Sequence, residues 1–244
     1  MEVIPAIDIA GGRCVRLFQG DYSRQTVYDD DPAAVARRFQ AAGARRLHVV
    51  DLDGAREGRP VGRRAVESVL RAVSVPVQVG GGIRRLDDLS AYLEMGAQRC
   101  VLGTAAVEDE ALLAAVLAQF PGRVAVAVDA RGGHVATRGW LRQAPLSPRQ
   151  LLERLLELGA RCIIYTDVLR DGTLSRPNLA AIGRLLEHAK GAAPDVEFIC
   201  AGGISSLDDL LSLARLGVDG AIVGRALYTG DLDLEEALAA LEAL

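Results

Sequence analysis

The most constraining feature of the sequence is a nine-residue segment that occurs twice. Residues 81–89 read GGIRRLDDL and residues 202–210 read GGISSLDDL, so the copies lie 121 residues apart in a chain of 244 residues. The same offset relates further identical residues, which are Asp8 and Asp129, Gly96 and Gly217, Gly103 and Gly224, and Ala105 and Ala226. Because this offset is about half the chain length, the repeat predicts two similar halves in tandem, about residues 1–121 and 122–244.

Each half contains four short apolar runs that alternate with stretches of helical spacing. The runs predict strands at Val3–Ile9, Leu47–Val50, Val75–Val79, Cys100–Leu102, Val124–Val128, Cys162–Tyr165, Val196–Cys200 and Ala221–Val223. The stretches between them predict helices at Ala33–Ala42, Arg63–Ala72, Leu86–Glu94, Glu110–Gln119, Pro148–Leu158, Leu179–Ala189, Leu207–Arg215 and Leu234–Leu244. The runs do not alternate apolar with polar residues, which is typical of parallel strands covered by helices.

Eight such units of about 30 residues predict an α/β protein, a (βα)8 TIM barrel built from two duplicated (βα)4 half-barrels. Residues 1–244 would form one barrel domain. An open, doubly wound sheet is the alternative, and the internal repeat argues against it.

Composition and charge exclude several classes of function. Hydrophobic residues make up 50% of the chain and charged residues 25%, which is typical of a soluble globular protein. The net charge is −4 with both signs dispersed, so we expect no nucleic-acid partner. No apolar run approaches the roughly 18 residues of a membrane span, and no basic segment opens the chain, so we expect no membrane association and a cytoplasmic location.

The sequence also predicts neither a metal site nor a cofactor. The four cysteines form no C-x-x-C pair and read as reduced core thiols: Cys14, Cys100, Cys162 and Cys200. No nucleophilic triad, P-loop or dinucleotide-binding fingerprint is present. We expect a monomer that acts on a small molecule.

Two carboxylates are the main catalytic candidates. Asp8 closes the first apolar run and Asp129 closes the fifth, so in a barrel both would point into the mouth from opposite sides. Two such acids can act as base and acid if their environments separate their pKa values. Each aspartate could instead simply cap the loop that follows it.

Glycine turns predict two phosphate sites, one in each half. Gly81 and Gly82 follow the third run, and Gly202 and Gly203 follow the seventh. The turns after the fourth and eighth runs carry Gly103 with Thr104 and Gly224 with Arg225. Glycine lets the backbone approach an anion, and free N–H groups at a helix start favour phosphate. The implied ligand is a small molecule with a phosphate at each end.

Other residues at predicted strand ends and loops are candidates for substrate contact. They are Arg16 and Gly20 in a long first loop, His48, Asp51, Arg84, Thr166, Asp171, Gly172 and Thr173. His48 could equally be a packed core histidine. The length of the first loop is typical of a lid, although its Arg16 could instead be a solvated side chain. His134, beside Trp140 in the loop after the fifth run, is either a lid contact or part of an exposed loop.

The residues as a set resemble the ProFAR isomerases of histidine biosynthesis. The resemblance rests on the segments at residues 4–8, 12–28, 48–55, 80–84, 166–174, 201–204 and 223–228, and it covers essentially the whole chain. It implies a half-barrel-duplicated TIM barrel without a cofactor. The implied reaction is an Amadori rearrangement, in which an aminoaldose becomes an aminoketose.

The resemblance also implies residue roles. Asp129 would protonate the ribose ring oxygen as the general acid, and Asp8 would remove the proton from carbon two as the general base. The chain departs from the family pattern at Ser175, Arg176 and Pro177, where glycine is common, which leaves the contact of that loop open.

Three other functions remain as alternatives. A dual-substrate isomerase that also converts phosphoribosylanthranilate would use the same acids with arginine assistance, and Trp140 and Arg142 are compatible with it. The related cyclase barrel of imidazole glycerol phosphate synthase typically carries a lysine in its first loop, whereas the only lysine here is Lys190. A non-catalytic phosphate-binding barrel would need no pair of acids.

Overall fold

The computed structural model describes residues 1–244, and its central feature is a closed ring of eight parallel strands. Twelve strands are formed in all: β1 (Glu2–Ala10), β2 (Arg13–Phe18), β3 (Asp21–Asp29), β4 (Leu47–Asp51), β5 (Val77–Gly80), β6 (Arg99–Leu102), β7 (Val124–Arg131), β8 (His134–Thr137), β9 (Arg142–Gln143), β10 (Cys162–Asp167), β11 (Glu197–Ala201) and β12 (Gly220–Val223). The ring runs β1-β4-β5-β6-β7-β10-β11-β12 and closes because β12 pairs with β1. The predicted (βα)8 barrel is therefore confirmed.

Helices connect successive barrel strands and cover the outside of the ring. Their bounds are α1 (Pro32–Ala41), α2 (Leu52–Glu57), α3 (Arg63–Ala72), α4 (Leu86–Glu94), α5 (Thr104–Glu108), α6 (Glu110–Gln119), α7 (Pro148–Glu157), α8 (Leu179–Ala192), α9 (Leu207–Leu216), α10 (Arg225–Thr229) and α11 (Leu234–Glu242). Local chemistry sets their starts. At α7, for example, Ser147 caps the helix and forms a capping box with Gln150, and Pro148 occupies the first helical position. No helix is long and apolar enough to cross a membrane.

The apolar side chains form two layers. A cluster of 52 buried residues fills the space between the ring and the helices. A cluster of nine buried residues, among them Ile4, Val101 and Ile222, fills the interior of the ring below the mouth. The barrel is therefore a packed core, and a ligand can enter only at the end where the strands finish. All four cysteines are buried and unpaired, and burial raises the pKa of each thiol to about 12.

Two antiparallel hairpins extend the ring at its mouth. Strands β2 and β3 occupy the segment that the sequence predicts as a long first loop, and β8 and β9 follow β7. Because β2 pairs with β1 and β8 pairs with β7, both barrel strands continue past their aspartates. Asp8 and Asp129 thus lie within strands and not at strand ends.

The two halves have matching backbone geometry at the repeated positions. Gly82 and Gly203 have φ of 75° and 83°, and Gly103 and Gly224 have φ of −107° and −109°. The short helices α5 and α10 begin and end at residues 121 apart. This is the geometry that a half-barrel duplication leads us to expect, and the duplication itself stays a prediction.

Candidate active site

A cavity of about 180 Å³ opens at the mouth of the barrel, at the carboxyl ends of the strands. Eleven of the predicted site residues line it: Asp8, Arg16, His48, Gly81, Gly82, Arg84, Gly103, Thr104, Asp129, Thr166 and Asp171. A smaller adjoining cavity of about 40 Å³ is lined by Gly172, Gly202, Gly203, Gly224 and Arg225, together with Arg16 and Asp171. The structure therefore brings both sets of predicted residues to one end of the barrel.

Three predicted site residues do not line either cavity. Asp51 is fully buried, and its carboxylate accepts hydrogen bonds from the backbone N–H groups of Gly54, Val61 and Gly62 at 2.7–2.9 Å. It organises the loop after β4. The Thr173 hydroxyl donates to the carbonyl of Arg170, and Gly20 lies in the tip of the first hairpin.

Asp8 is paired with a cation from the neighbouring hairpin. Strand β2 places Arg16 so that its Nη1 donates to Oδ2 of Asp8 at 2.7 Å, while its Nη2 donates to the carbonyl of Ala6. The guanidinium lies over the ring of Tyr228, 5.2 Å from the centroid. Burial raises the pKa of Asp8, and the charge and hydrogen bond of Arg16 oppose that rise. Arg16 thus stabilises the ionised form that a general base needs.

Asp129 stands on β7, four strands from β1 around an eight-strand ring, and so lies directly across the mouth from Asp8. The indole Nε1 of Trp140 donates to its Oδ2 at 2.8 Å. Burial raises the pKa of Asp129, and hydrogen bonds from Trp140 and Thr166 lower it. No arginine pairs with this carboxyl, so the two acids sit in different electrostatic environments.

Asp171 is the third carboxyl at the same cavity. Burial raises its pKa to about 7, the negative charges of Asp8 and Asp129 contribute to the rise, and Arg16 opposes it. A carboxyl with that pKa is partly protonated at neutral pH and can donate a proton or a hydrogen bond.

Two sets of backbone N–H groups are free to bind anions. The N–H groups of Gly82 and Gly103 in one half, and of Gly203 and Gly224 in the other, donate to no group of the protein.

Glycine is required at two of these positions because the chain passes close to neighbouring backbone there. A Cβ on Gly82 would lie 2.6 Å from the backbone of Arg59, and one on Gly203 would lie 2.5 Å from the carbonyl oxygen of Arg176. Both residues also have positive φ.

The hairpins and the loop after β10 meet over the mouth. The Arg131 guanidinium donates to the carbonyl of Gln19, and the Gln19 amide group donates to the carbonyl of Leu169. A Cβ on Gly20 would overlap the ring of Trp140, so the two hairpins are in contact. The predicted role of the first segment as a lid is compatible with this position, although the segment is a β-hairpin and not a loop.

Sequence reasoning missed several partners of the site residues. His134 is exposed, whereas Trp140 in the same hairpin donates its indole N–H to Asp129, a contact that the sequence does not predict. Tyr228, whose hydroxyl donates to the carbonyl of Ala6 at 2.9 Å, was not predicted. Gln19 and Gly20 form a two-residue hairpin turn with both φ positive, and Gly20 at the second turn position is the sequence signal that could have identified the hairpin. No cluster of three or more His, Cys, Asp or Glu side chains is placed to hold a metal ion.

Comparison with known proteins adds independent findings. A family described as "Histidine biosynthesis protein" matches residues 2–233. A protein of Roseiflexus castenholzii named 1-(5-phosphoribosyl)-5-((5-phosphoribosylamino)methylideneamino) imidazole-4-carboxamide isomerase is 55% identical over 242 residues, covering 99% of this chain and all of that protein. Proteins of the same name from Roseiflexus sp. and Synechocystis sp. are 54% and 49% identical, covering 99% of this chain and 100% and 93% of theirs.

Proposed function

The chain belongs to the histidine biosynthesis protein family, and from that premise we propose that it is the isomerase that converts the aminoaldose ProFAR into the aminoketose PRFAR. The observation that carries the proposal is the pair of differently tuned carboxyls, Asp8 and Asp129, facing each other in one cavity between two sets of free N–H groups. A barrel that only bound a bis-phosphate would need the N–H groups but not the acids.

The two sets of N–H groups would hold the two phosphates of the substrate. Gly82 and Gly103 lie in one half of the ring and Gly203 and Gly224 in the other, so a bound molecule would span the mouth. Binding at both ends fixes the atoms between them over the carboxyls. This use of binding energy for orientation lowers the barrier of each proton transfer.

The chemistry then needs one proton donated and one removed. An acid protonates the ribose ring oxygen, the bond from that oxygen to carbon one breaks, and the nitrogen lone pair forms an iminium. Asp8 removes the proton from carbon two, and the electron pair of that C–H bond forms an enol while neutralising the iminium. A proton is added to carbon one while the hydroxyl on carbon two loses its proton, which gives the ketone. Positioned proton transfers each contribute about 10²–10⁴-fold.

Two carboxyls compete for the acid role. We assign it to Asp129 because this residue lies opposite Asp8 and its indole partner orients it. Asp171 has a pKa of about 7 and is the alternative donor. If Asp129 is the acid, protonated Asp171 would donate a hydrogen bond to the substrate.

Three amide variants test these roles. We expect Asp8→Asn and Asp129→Asn each to lower kcat by at least about 10²-fold with KM changed little, because the amide keeps the shape but transfers no proton. Asp30→Asn, at an exposed surface position, is the matched control. Activity of Asp8→Asn within tenfold of the wild type would refute the base assignment. The same result for Asp129→Asn, with a large loss in Asp171→Asn, would transfer the acid role to Asp171.

The remaining expectations belong to the same proposal. The protein would act in the cytoplasm as a monomer and without a cofactor, on a small bis-phosphate molecule. Dialysis against a chelator should leave the activity unchanged, and light scattering during turnover should give the mass of one chain. A dimer as the only active species would refute the monomer assignment.

A further inference from the structure

A line of four polar side chains crosses the interior of the ring below the cavity. It begins with Glu197 at the start of β11, passes through Arg99 on β6 and Gln78 on β5, and ends at His48 on β4. Arg99 is 3% exposed and Gln78 is fully buried. His48 and Gln78 are register partners, as are Gln78 and Arg99, so the three side chains lie on the same face of the sheet. His48 ends the line at the cavity wall.

The direction of every hydrogen bond in this line is set by Arg99, because a guanidinium only donates. Its two Nη atoms donate to the two carboxylate oxygens of Glu197, and its Nε donates to Oε1 of Gln78 at 2.8 Å. The amide of Gln78 therefore presents its Nε2 to Nδ1 of His48, 2.8 Å away. An amide nitrogen can only donate, so Nδ1 of His48 must accept.

A neutral imidazole with an accepting Nδ1 carries its proton on Nε2. The opposite tautomer would place the Nδ1–H of His48 against the NH₂ group of Gln78. Turning that amide over would place its NH₂ group against Arg99. The ring is also held neutral, because burial together with the charges of Arg16 and Arg99 lowers the pKa of His48 to about 3.

We propose that Glu197, Arg99 and Gln78 hold His48 as a neutral donor whose Nε2–H binds the substrate oxygen on the carbon that Asp8 deprotonates. His48 pairs in register with Ala6 on the adjacent strand, two residues before Asp8, so the donor and the base lie close together on the same face of the sheet. This inference rests on the proposed isomerase function. Within it, His48 is a catalytic residue, and Gln78, Arg99 and Glu197 are positioning residues. When the hydroxyl on carbon two loses its proton as the enol becomes the ketone, a neutral donor already in place stabilises the charge that develops on that oxygen without giving up its own proton.

The tautomer is measurable without substrate by ¹⁵N NMR of the imidazole nitrogens, and the chain has only three histidines. We expect wild-type His48 to show a protonated Nε2 and an unprotonated Nδ1 from about pH 5 to pH 8, with no titration in that range. Gln78→Glu should reverse the hydrogen bond between residue 78 and His48, because a carboxylate accepts from Arg99 and from His48 alike. In that variant Nδ1 gains a proton and kcat falls at least about tenfold, with KM within threefold.

Three further variants separate the effect of the tautomer from general damage. Gln98→Glu is the same chemical change at a residue that accepts a hydrogen bond from Arg46 and does not contact His48, so it should alter neither the NMR signal nor kcat. Glu197→Gln keeps an acceptor for Arg99 and should leave the His48 tautomer unchanged. Gln78→Met, which makes neither hydrogen bond, should leave His48 as a mixture of both tautomers.

A proton on Nδ1 of wild-type His48 overturns the proposal whatever the activity. So does a Gln78→Glu variant that moves the proton yet keeps the wild-type kcat. Failure of the isomerase function itself is distinguishable, because it would show as absent turnover in a wild-type protein whose NMR signals are as expected.

Discussion

Replacing Asp171 with asparagine should stabilise the protein while impairing it. The Asp171 carboxyl shares a cavity with two other carboxyls, and its pKa rises from 3.8 to about 7. At 1.36 kcal/mol for each pH unit, keeping this group ionised in the fold costs about 4 kcal/mol above pH 7. Water in the open cavity relaxes part of this cost, so we expect Asp171→Asn to gain about 1–3 kcal/mol at pH 8. Each kcal/mol corresponds to a rise in Tm of about 2–4 °C for a chain of this length.

The sign of the pH dependence makes this prediction specific. The folded protein binds the Asp171 proton more tightly than the unfolded chain does, so the cost is absent below pH 3.8 and grows until the pH reaches about 7. The gain from Asp171→Asn should therefore be less than half as large at pH 5 as at pH 8, in thermal unfolding of the substrate-free protein. Asp30→Asn should show no such difference. An equal gain at both pH values, or a loss of stability at pH 8, would refute the reasoning.

Three further predictions follow from the site. Trp140→Phe removes the hydrogen bond to Asp129, so the pKa of Asp129 should rise. The pH–rate profile should then shift to higher pH, and kcat should fall about tenfold or more. An unshifted profile would contradict this. Gly203→Ala puts a Cβ 2.5 Å from the carbonyl oxygen of Arg176, so KM should rise at least about tenfold. The control is Gly217→Ala, because Gly217 has positive φ but no atom within 4 Å of its Cβ position; this variant should lose stability with KM unchanged. The histidine-pathway aminoaldose should be preferred over phosphoribosylanthranilate by more than about 10³ in kcat/KM, because the latter leaves one anion site unfilled; comparable values would support a dual-substrate enzyme.

The sequence predicts the ring well because burial decides it. All eight predicted barrel strands and the eight long helices form, within a few residues of their predicted bounds. Periodicity and apolar runs report burial directly, and burial is what holds these elements in place. The segments that were missed are held by other means. In β3, for example, most residues are exposed, and the strand forms because β2 pairs with it beside β1.

The residues of the candidate site likewise fall into those that the sequence predicts and those that it does not. The glycine turns and the two acids could be located from the repeat, because their backbone positions recur at one offset. The partners of those residues could not. Trp140 reaches Asp129 only because the second hairpin folds over the mouth, and Gln78 meets Arg99 only across adjacent strands. Asp51 shows that the sequence can also predict a contact that does not form. An aspartate at the end of a strand predicts a ligand contact, but the Asp51 carboxylate accepts hydrogen bonds from three backbone N–H groups.

The hydrogen bonds that join the tip of the first hairpin to the segments opposite it go to main-chain acceptors. Gln19 accepts from Arg131 and donates to the carbonyl groups of Leu169 and Asp171, and Arg225 donates to the carbonyl of Gly172. The ion pairs of this hairpin, Arg16 with Asp8 and Asp29 with Arg38, lie away from its tip. Ionic strength therefore acts on two parts of the molecule differently. Salt would screen the attraction between the two phosphates of the proposed substrate and the barrel, but it has little effect on hydrogen bonds to carbonyl groups. These hydrogen bonds should also tolerate substitution of the accepting residues, because a backbone carbonyl remains an acceptor when the side chain of its residue changes.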